Sequence, residues 1–242
     1  MSLRPEDQLR ATRVPGAPIG ETGAMRLLLV RHGQTPSNVH GLLDTATPGA
    51  DLTDLGRLQA QALVAALGHE PVDALLASTL VRTQQTAAPL AATLGLEVQV
   101  RAGLREITAG DLEMLGDPAS IATYLGTAFA WSAGRLDLRM PGGESGHEVY
   151  ARYDAVLEDL AASGVGTAVA VSHGAIIRSW CAARAGVPVA HVEAHPLTNT
   201  GVVVLDGSPS AGWSALTWED HAIGGLRVES PDDGPAGEAF LE

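Results

Sequence analysis

Apolar residues along this chain fall into short runs and helical repeats that alternate. Met25–Val30 is nearly all apolar and predicts a buried strand, followed by a Gly/Pro-rich loop. From Thr53, a fitting N-cap, Leu55, Leu58, Ala62, Leu63, Ala66 and Leu67 recur at helical spacing. Val72–Ala77 reads as a second strand running into Ser78, after which Leu80, Ala87, Leu90, Ala91 and Leu94 mark a helix ended by Gly95. Glu97–Val100 is a short third strand. Residues 111–140 are mixed in composition with weak periodicity, as expected of an inserted cap rather than a core element. Ser145 and Glu148 form a candidate capping box for a helix to about Ser163, and Thr167–Val171 is a further buried strand ending at Ser172-His173-Gly174. A helix over 175–185 and strands at Gly201–Leu205 and Trp213–Thr217 follow. Strands alternating with helices imply an α/β fold: a mostly parallel sheet covered on both faces.

The ends read differently. Residues 1–24 are punctuated by Pro and Gly, and Glu229–Glu242 holds five acids and no base, so flexible segments are expected at 1–24 and 224–242 around one domain at 25–223. At 242 residues the chain suits one domain with an insertion and a substantial core, built from Ala, Leu and Val because aromatics make up only 4%. All 15 basic residues are arginines and the formal charge is −13, which argues against nucleic acid or an anionic membrane as partner. Arginines in such a chain become candidates for local anion sites. One cysteine, Cys181, excludes an internal disulfide framework and fits a reducing cytoplasm; its neighbours place it in a core helix. No apolar stretch approaches a membrane span and residues 1–24 lack a hydrophobic signal region, so a cytoplasmic location is expected.

Chemistry concentrates where strands end. Arg31-His32-Gly33 closes the first strand, offering a planar fork suited to phosphate beside an imidazole able to attack it. The bland reading is a strand-end histidine hydrogen-bonded into a turn. Three more segments count against it. His173 closes a second strand in the same way. Ser78-Thr79-Leu80-Val81-Arg82-Thr83 opens a helix with Arg82 one turn in, where the helix dipole also favours anions. Leu104-Arg105-Glu106-Ile107 supplies a carboxylic acid just after the third strand. Two arginines, two histidines and a glutamate are the inventory of phosphoryl transfer: clamps for equatorial oxygens, an in-line nucleophile and an acid for the leaving oxygen.

RHGQTPSN, STLVRTQQT, LREITAGDLE, PGGES and VSHG, in this order across residues 27–174 and followed by Asn199-Thr200-Gly201, resemble the histidine phosphatase superfamily, in its phosphoglycerate-mutase-like group. The resemblance implies a three-layer α/β/α sandwich with a mixed, mostly parallel central sheet and a short cap. It makes His32 the nucleophile that becomes phosphohistidine, with Arg31, Arg82 and His173 holding the phosphoryl group. Glu106 is then proton donor and later base for water; Asn38 contacts phosphate, and Thr35 and Gly174 shape the pocket. Two nearby arginines would depress protonation of His32, whereas Glu106 should titrate high beside a dianionic phosphate. Glu113 and Glu144 are competitors for the acid role.

The chain also departs from the family. Where members often carry G-x-W-E-G, it has Gly110-Asp111-Leu112-Glu113-Met114, and its cap has only Arg135 and Arg139 as bases. PGGES resembles the phosphatase branch. The expectation is a metal- and cofactor-independent phosphomonoesterase acting on a small phosphorylated substrate. The alternatives are a cofactor-dependent phosphoglycerate mutase and a non-catalytic phospholigand-binding module. His191 and His195 in HVEAH have a metal-like spacing, but the glutamate is misplaced for a zinc protease and a helix-end pair is the simpler reading. His40, His69 and His221 read as solvated. Oligomeric state is open, a dimer being allowed.

Overall fold

The computed structural model describes residues 12–13, 24–224, 229–230 and 232–237. Seven strands form one sheet: β1 (Thr12–Arg13), β2 (Met25–Arg31), β3 (Ala74–Ala77), β4 (Val98–Val100), β5 (Thr167–Ser172), β6 (Val202–Ser208) and β7 (Gly212–Glu219), in the order β1-β7-β6-β2-β5-β3-β4. Pairing is parallel from β2 through β5 and β3 to β4, and antiparallel from β2 through β6 and β7 to β1. The sheet is therefore mixed, and its parallel half carries the strand ends that matter.

Alternation along the strands sorts the core into two layers. Leu27, Leu29, Leu76, Ala168, Ala170, Val203 and Leu205 face one side, where α4 (Pro118–Ser132), α5 (Gly146–Ala162), α6 (Gly174–Arg184) and α7 (Val189–Ala194) pack. Leu28, Val30, Leu75, Ala77, Val169 and Val171 face the other, covered by α2 (Asp54–Leu67) and α3 (Val81–Leu94). This is the expected three-layer sandwich. Its local stops are those the sequence predicts: Thr53 accepts from the Gly56 amide to cap α2, Ser145 and Glu148 cap each other at α5, and Gly95 closes α3 in the left-handed conformation. A one-turn helix, α1 (Pro36–Val39), follows β2.

Two expectations need correction. The stretch 111–140 is more than a cap: α4 buries Tyr124, Leu125, Ala128, Phe129 and Trp131 in the main core. Its periodicity is weak because the exposed side of the helix carries Pro118, Ala119, Ala122 and Thr123 in place of charged residues. The acidic tail is also partly part of the domain. Residues 229–230 and 232–237 pack beside β2 and α6, where Asp233 is buried, Asn199 N donates to its Oδ1 (2.8 Å), and Arg178 Nη1 donates to Ala236 O (2.8 Å). Those anchors are mostly backbone groups, which a Pro/Gly/acid-rich string does not advertise. At the other end, residues 12–13 pair with Trp218 and Thr217 as β1. The rest of the expected terminal segments lies outside the described residues. No helix among the described residues is long and apolar enough to cross a membrane.

Candidate active site

Register brings the two histidine-bearing strand ends together. β2 and β5 are parallel neighbours with Arg31 opposite Ser172, so His32 and His173 leave the sheet side by side, their rings 5.2 Å apart and nearly edge-on. The carboxyl ends of parallel strands are where α/β folds bind ligands. Gly33 permits the tight exit: a Cβ there would lie 2.6 Å from Gly56 O.

Each side chain has a defined state. His32 is buried and its Nδ1 is 2.8 Å from Gly33 O; a carbonyl can only accept, so Nδ1 carries the proton and Nε2 keeps a lone pair. Burial, then Arg82 and Arg31, hold the imidazole well below its ordinary range. Arg31 spends Nη1 on Leu197 O (2.6 Å) and Nη2 on Asp233 O, leaving its buried Nε without a partner. Arg82, near the start of α3, donates from Nη2 to Asp44 O (2.8 Å), while its buried Nε and Nη1 have no hydrogen-bond partner. His173 sits at the N-cap of α6 with Nε2 2.7 Å from Ser78 Oγ and a buried, unpartnered Nδ1. Its imidazole too is pushed far down, by burial and then by Arg82.

Glu106 follows the 3-10 turn Ala102–Leu104 and points at the start of α6. Its Oε1 accepts from Ile107 N (2.9 Å) and Ile176 N (2.9 Å), and Oε2 from Ala175 N (3.1 Å). Burial raises the carboxyl and outweighs these amides, which favour the anion, so Glu106 holds a proton to higher pH than an ordinary glutamate. Arg31, His32, Arg82 and Glu106 line one cavity, with Thr35, Asn38 and Gly174 among its other walls.

Thr35 and Asn38 form a reciprocal cap on α1: Thr35 N donates to Asn38 Oδ1 (2.9 Å) and Asn38 N to Thr35 Oγ1 (3.2 Å). At Gly174 a Cβ would lie 3.1 Å from Arg31 Nε, so only glycine leaves that nitrogen clear. The rival carboxylates are occupied elsewhere. Glu113 accepts from Thr45 N (2.8 Å), Ala46 N (2.9 Å) and the Thr45 hydroxyl. Glu144 is clasped by Arg105, Arg152 and Thr108, which together outweigh its burial and hold it below the usual carboxylate range. Among the described residues no group of three or more His, Cys, Asp or Glu is placed to hold a metal ion. His191 stacks on His195 (4.3 Å), whose Nδ1 is 3.3 Å from Asp220 Oδ2, and Cys181 is buried in α6.

Other walls come from Leu42, Leu43, Asp44, Thr45, Tyr124, Pro235 and Ala236. The sequence reading singles out none of these for the site. They carry no local motif; only tertiary folding brings them to it. Arg152 was likewise unmarked, yet it donates to Gly103 O (2.7 Å), Arg105 O (2.8 Å), Glu106 O (2.9 Å) and both oxygens of Glu144. Arg152→Met removes the more buried of the two arginines on Glu144, leaving it Arg105 and Thr108, and frees three backbone carbonyls, so the mutant should lose about 3 kcal/mol of unfolding free energy in urea titration. A loss under about 1 kcal/mol would show the network to be a surface ion pair in energetic terms.

A family model described as "Histidine phosphatase superfamily (branch 1)" matches residues 27–221, and the chain belongs to that superfamily. Glucosyl-3-phosphoglycerate phosphatase of Mycobacterium tuberculosis is 35% identical over 209 residues, covering 80% of this chain and 86% of its own length. A PE-PGRS family protein of the same organism is 38% identical over 81% of this chain, which spans only 36% of that relative's length. The native structure of mycobacterial glucosyl-3-phosphoglycerate phosphatase superposes with a TM-score of 0.68 at 31% identity, covering 81% of this chain and 99% of the other. With the cavity described above, the chain is a phosphatase of that superfamily.

Proposed function

We propose that the protein hydrolyses small phosphomonoesters in the cytoplasm by two in-line displacements through a phosphohistidine on His32, with Glu106 as acid and then base. One observation carries this reading: around the proton-free Nε2 of His32, the buried Arg31 Nε and Arg82 Nε donate to nothing in the protein, and Arg82 Nη1 makes no hydrogen bond, only a 3.6 Å ion-pair contact with Asp44 Oδ2. Buried donors left unpaired are costly, and an anion of phosphate geometry would satisfy them together. Its equatorial oxygens take those donors and His173 Nδ1, with Asn38 and Thr35 at the wall. His32 Nε2 attacks phosphorus, the ester P–O bond breaks, and Glu106 passes its proton to the leaving oxygen. Water then enters on the same side. Glu106, now anionic, takes a proton from it, the P–N bond breaks, and His32 returns neutral.

Two displacements invert phosphorus twice. A substrate made chiral with oxygen isotopes should therefore give inorganic phosphate with net retention, whereas direct attack by water would give inversion. Because the arginines and His173 supply the charge neutralisation, full activity is expected after exhaustive treatment with a chelator. Activity lost with EDTA and restored by a divalent ion would overturn that part of the mechanism.

A further inference from the structure

Resting on that reading, we propose that Met114, with Leu42 and Leu115, forms an apolar rim that selects phosphomonoesters whose leaving alcohol carries an apolar face. Met114 is one of two non-glycine residues at positive φ among the described residues, at φ 59. The other, Thr200, is fully buried and its amide donates to Arg31 O (3.1 Å), so its backbone serves the site directly. Met114 has no such packing. It is 51% exposed and Leu115 beside it is 41% exposed. Glycine would adopt this conformation without strain. A strained methionine thus projects from the protein at a position where glycine would be relaxed, and strain of this kind gathers at functional sites.

Its location is fixed by the cavity wall. Met114 N donates to Leu43 O (2.9 Å) and Leu43 N to Leu115 O (2.9 Å), while Glu113 grips the amides of Thr45 and Ala46. Leu42, Leu43 and Thr45 line the cavity itself, so Met114 and Leu115 lie one hydrogen-bonded pair from that wall. The proposal has the ester's alcohol leave the cavity past Leu42, toward Met114 and Leu115, once the phosphoryl group sits between Arg31 and Arg82. Methionine suits an irregular apolar guest, because three rotatable bonds let the thioether adapt.

The test compares wild type with Met114→Gly and Leu115→Ser on two alkyl phosphates of similar leaving-group basicity, propyl phosphate and 3-phenylpropyl phosphate. Wild type should prefer the phenylpropyl ester. Each variant should lose about tenfold in kcat/KM on that ester and under about twofold on propyl phosphate, and Met114→Gly should also melt at higher temperature because its strain is relieved. Equal losses on both esters, or none, overturn the rim. A changed oligomeric state on sedimentation without a change in selectivity overturns it too, assigning the patch to self-association. If wild type hydrolyses both esters without preference, the rim fails and the phosphatase reading stands. Hydrolysis of neither sinks both.

Discussion

Replacing Glu106 by glutamine slows the hydrolysis of an alkyl phosphate by ~10²–10⁴, the span of general acid catalysis, and slows p-nitrophenyl phosphate far less. An alkoxide must be protonated as it leaves, whereas p-nitrophenolate departs without help. The structure gives Glu106 what that task needs: burial that keeps the proton on, and a place in the same cavity as His32. The pH profile carries the same signature. Transfer from an alkyl ester requires protonated Glu106, so activity falls as pH rises through a carboxyl value displaced upward; in the glutamine variant this alkaline limb disappears. The acid limb belongs to His32, which must be neutral to attack. Since burial and the two arginines lower its imidazole, that limb lies below the ordinary histidine range. Equal losses on both esters would reduce Glu106 to a positioning role, held as it is by Ile107, Ala175 and Ile176 amides.

His32→Ala has the larger effect. With the nucleophile gone, kcat/KM should fall by about 10⁴ or more, roughly 5 kcal/mol of barrier. Binding should survive. Arg31 and Arg82 are anchored by Leu197, Asp233 and Asp44 and not by His32, so inorganic phosphate should bind the variant within a fewfold of wild type. Isothermal titration beside steady-state kinetics separates the two roles: phosphate affinity lost in parallel with turnover would make His32 a binding residue, and residual turnover near the wild-type rate would remove it from the mechanism.

Much of this architecture is legible locally. Leu27 to Val30 and Thr167 to Val171 are apolar on both faces because helices cover both sides of the sheet, and caps at Thr53, Gly95 and Ser145 are written in residues three or four apart. Four of the five candidate groups, Arg31, His32, Arg82 and His173, are legible for a similar reason: each sits at a strand end or helix start, while Glu106 lies in the loop after the turn Ala102–Leu104. What escaped reading depends on distant chain. Tyr124 reaches the cavity from a helix whose uncharged outer side hides its register, and its hydroxyl is spent on Ile107 O (2.8 Å). Leu43 and Thr45 are held in the wall by a loop distant in sequence, through Glu113, Met114 and Leu115. Asp233 and Ala236 reach Arg31 and Arg178 through backbone carbonyls that any residue type possesses, and only the Asp233 carboxylate, which accepts from Asn199 N, draws on the tail's acidic composition.

The central claim is a covalent bond between phosphorus and His32 Nε2. Wild-type enzyme mixed with an activated ester such as p-nitrophenyl phosphate, quenched in base within a turnover and digested for mass spectrometry and ³¹P NMR, reports that bond directly. The account predicts one phosphoryl group on the peptide containing His32, attached at Nε2, stable in alkali and lost in acid, and absent from His32→Ala. A phosphoryl group on Nδ1, on His173 or on a carboxylate would contradict it.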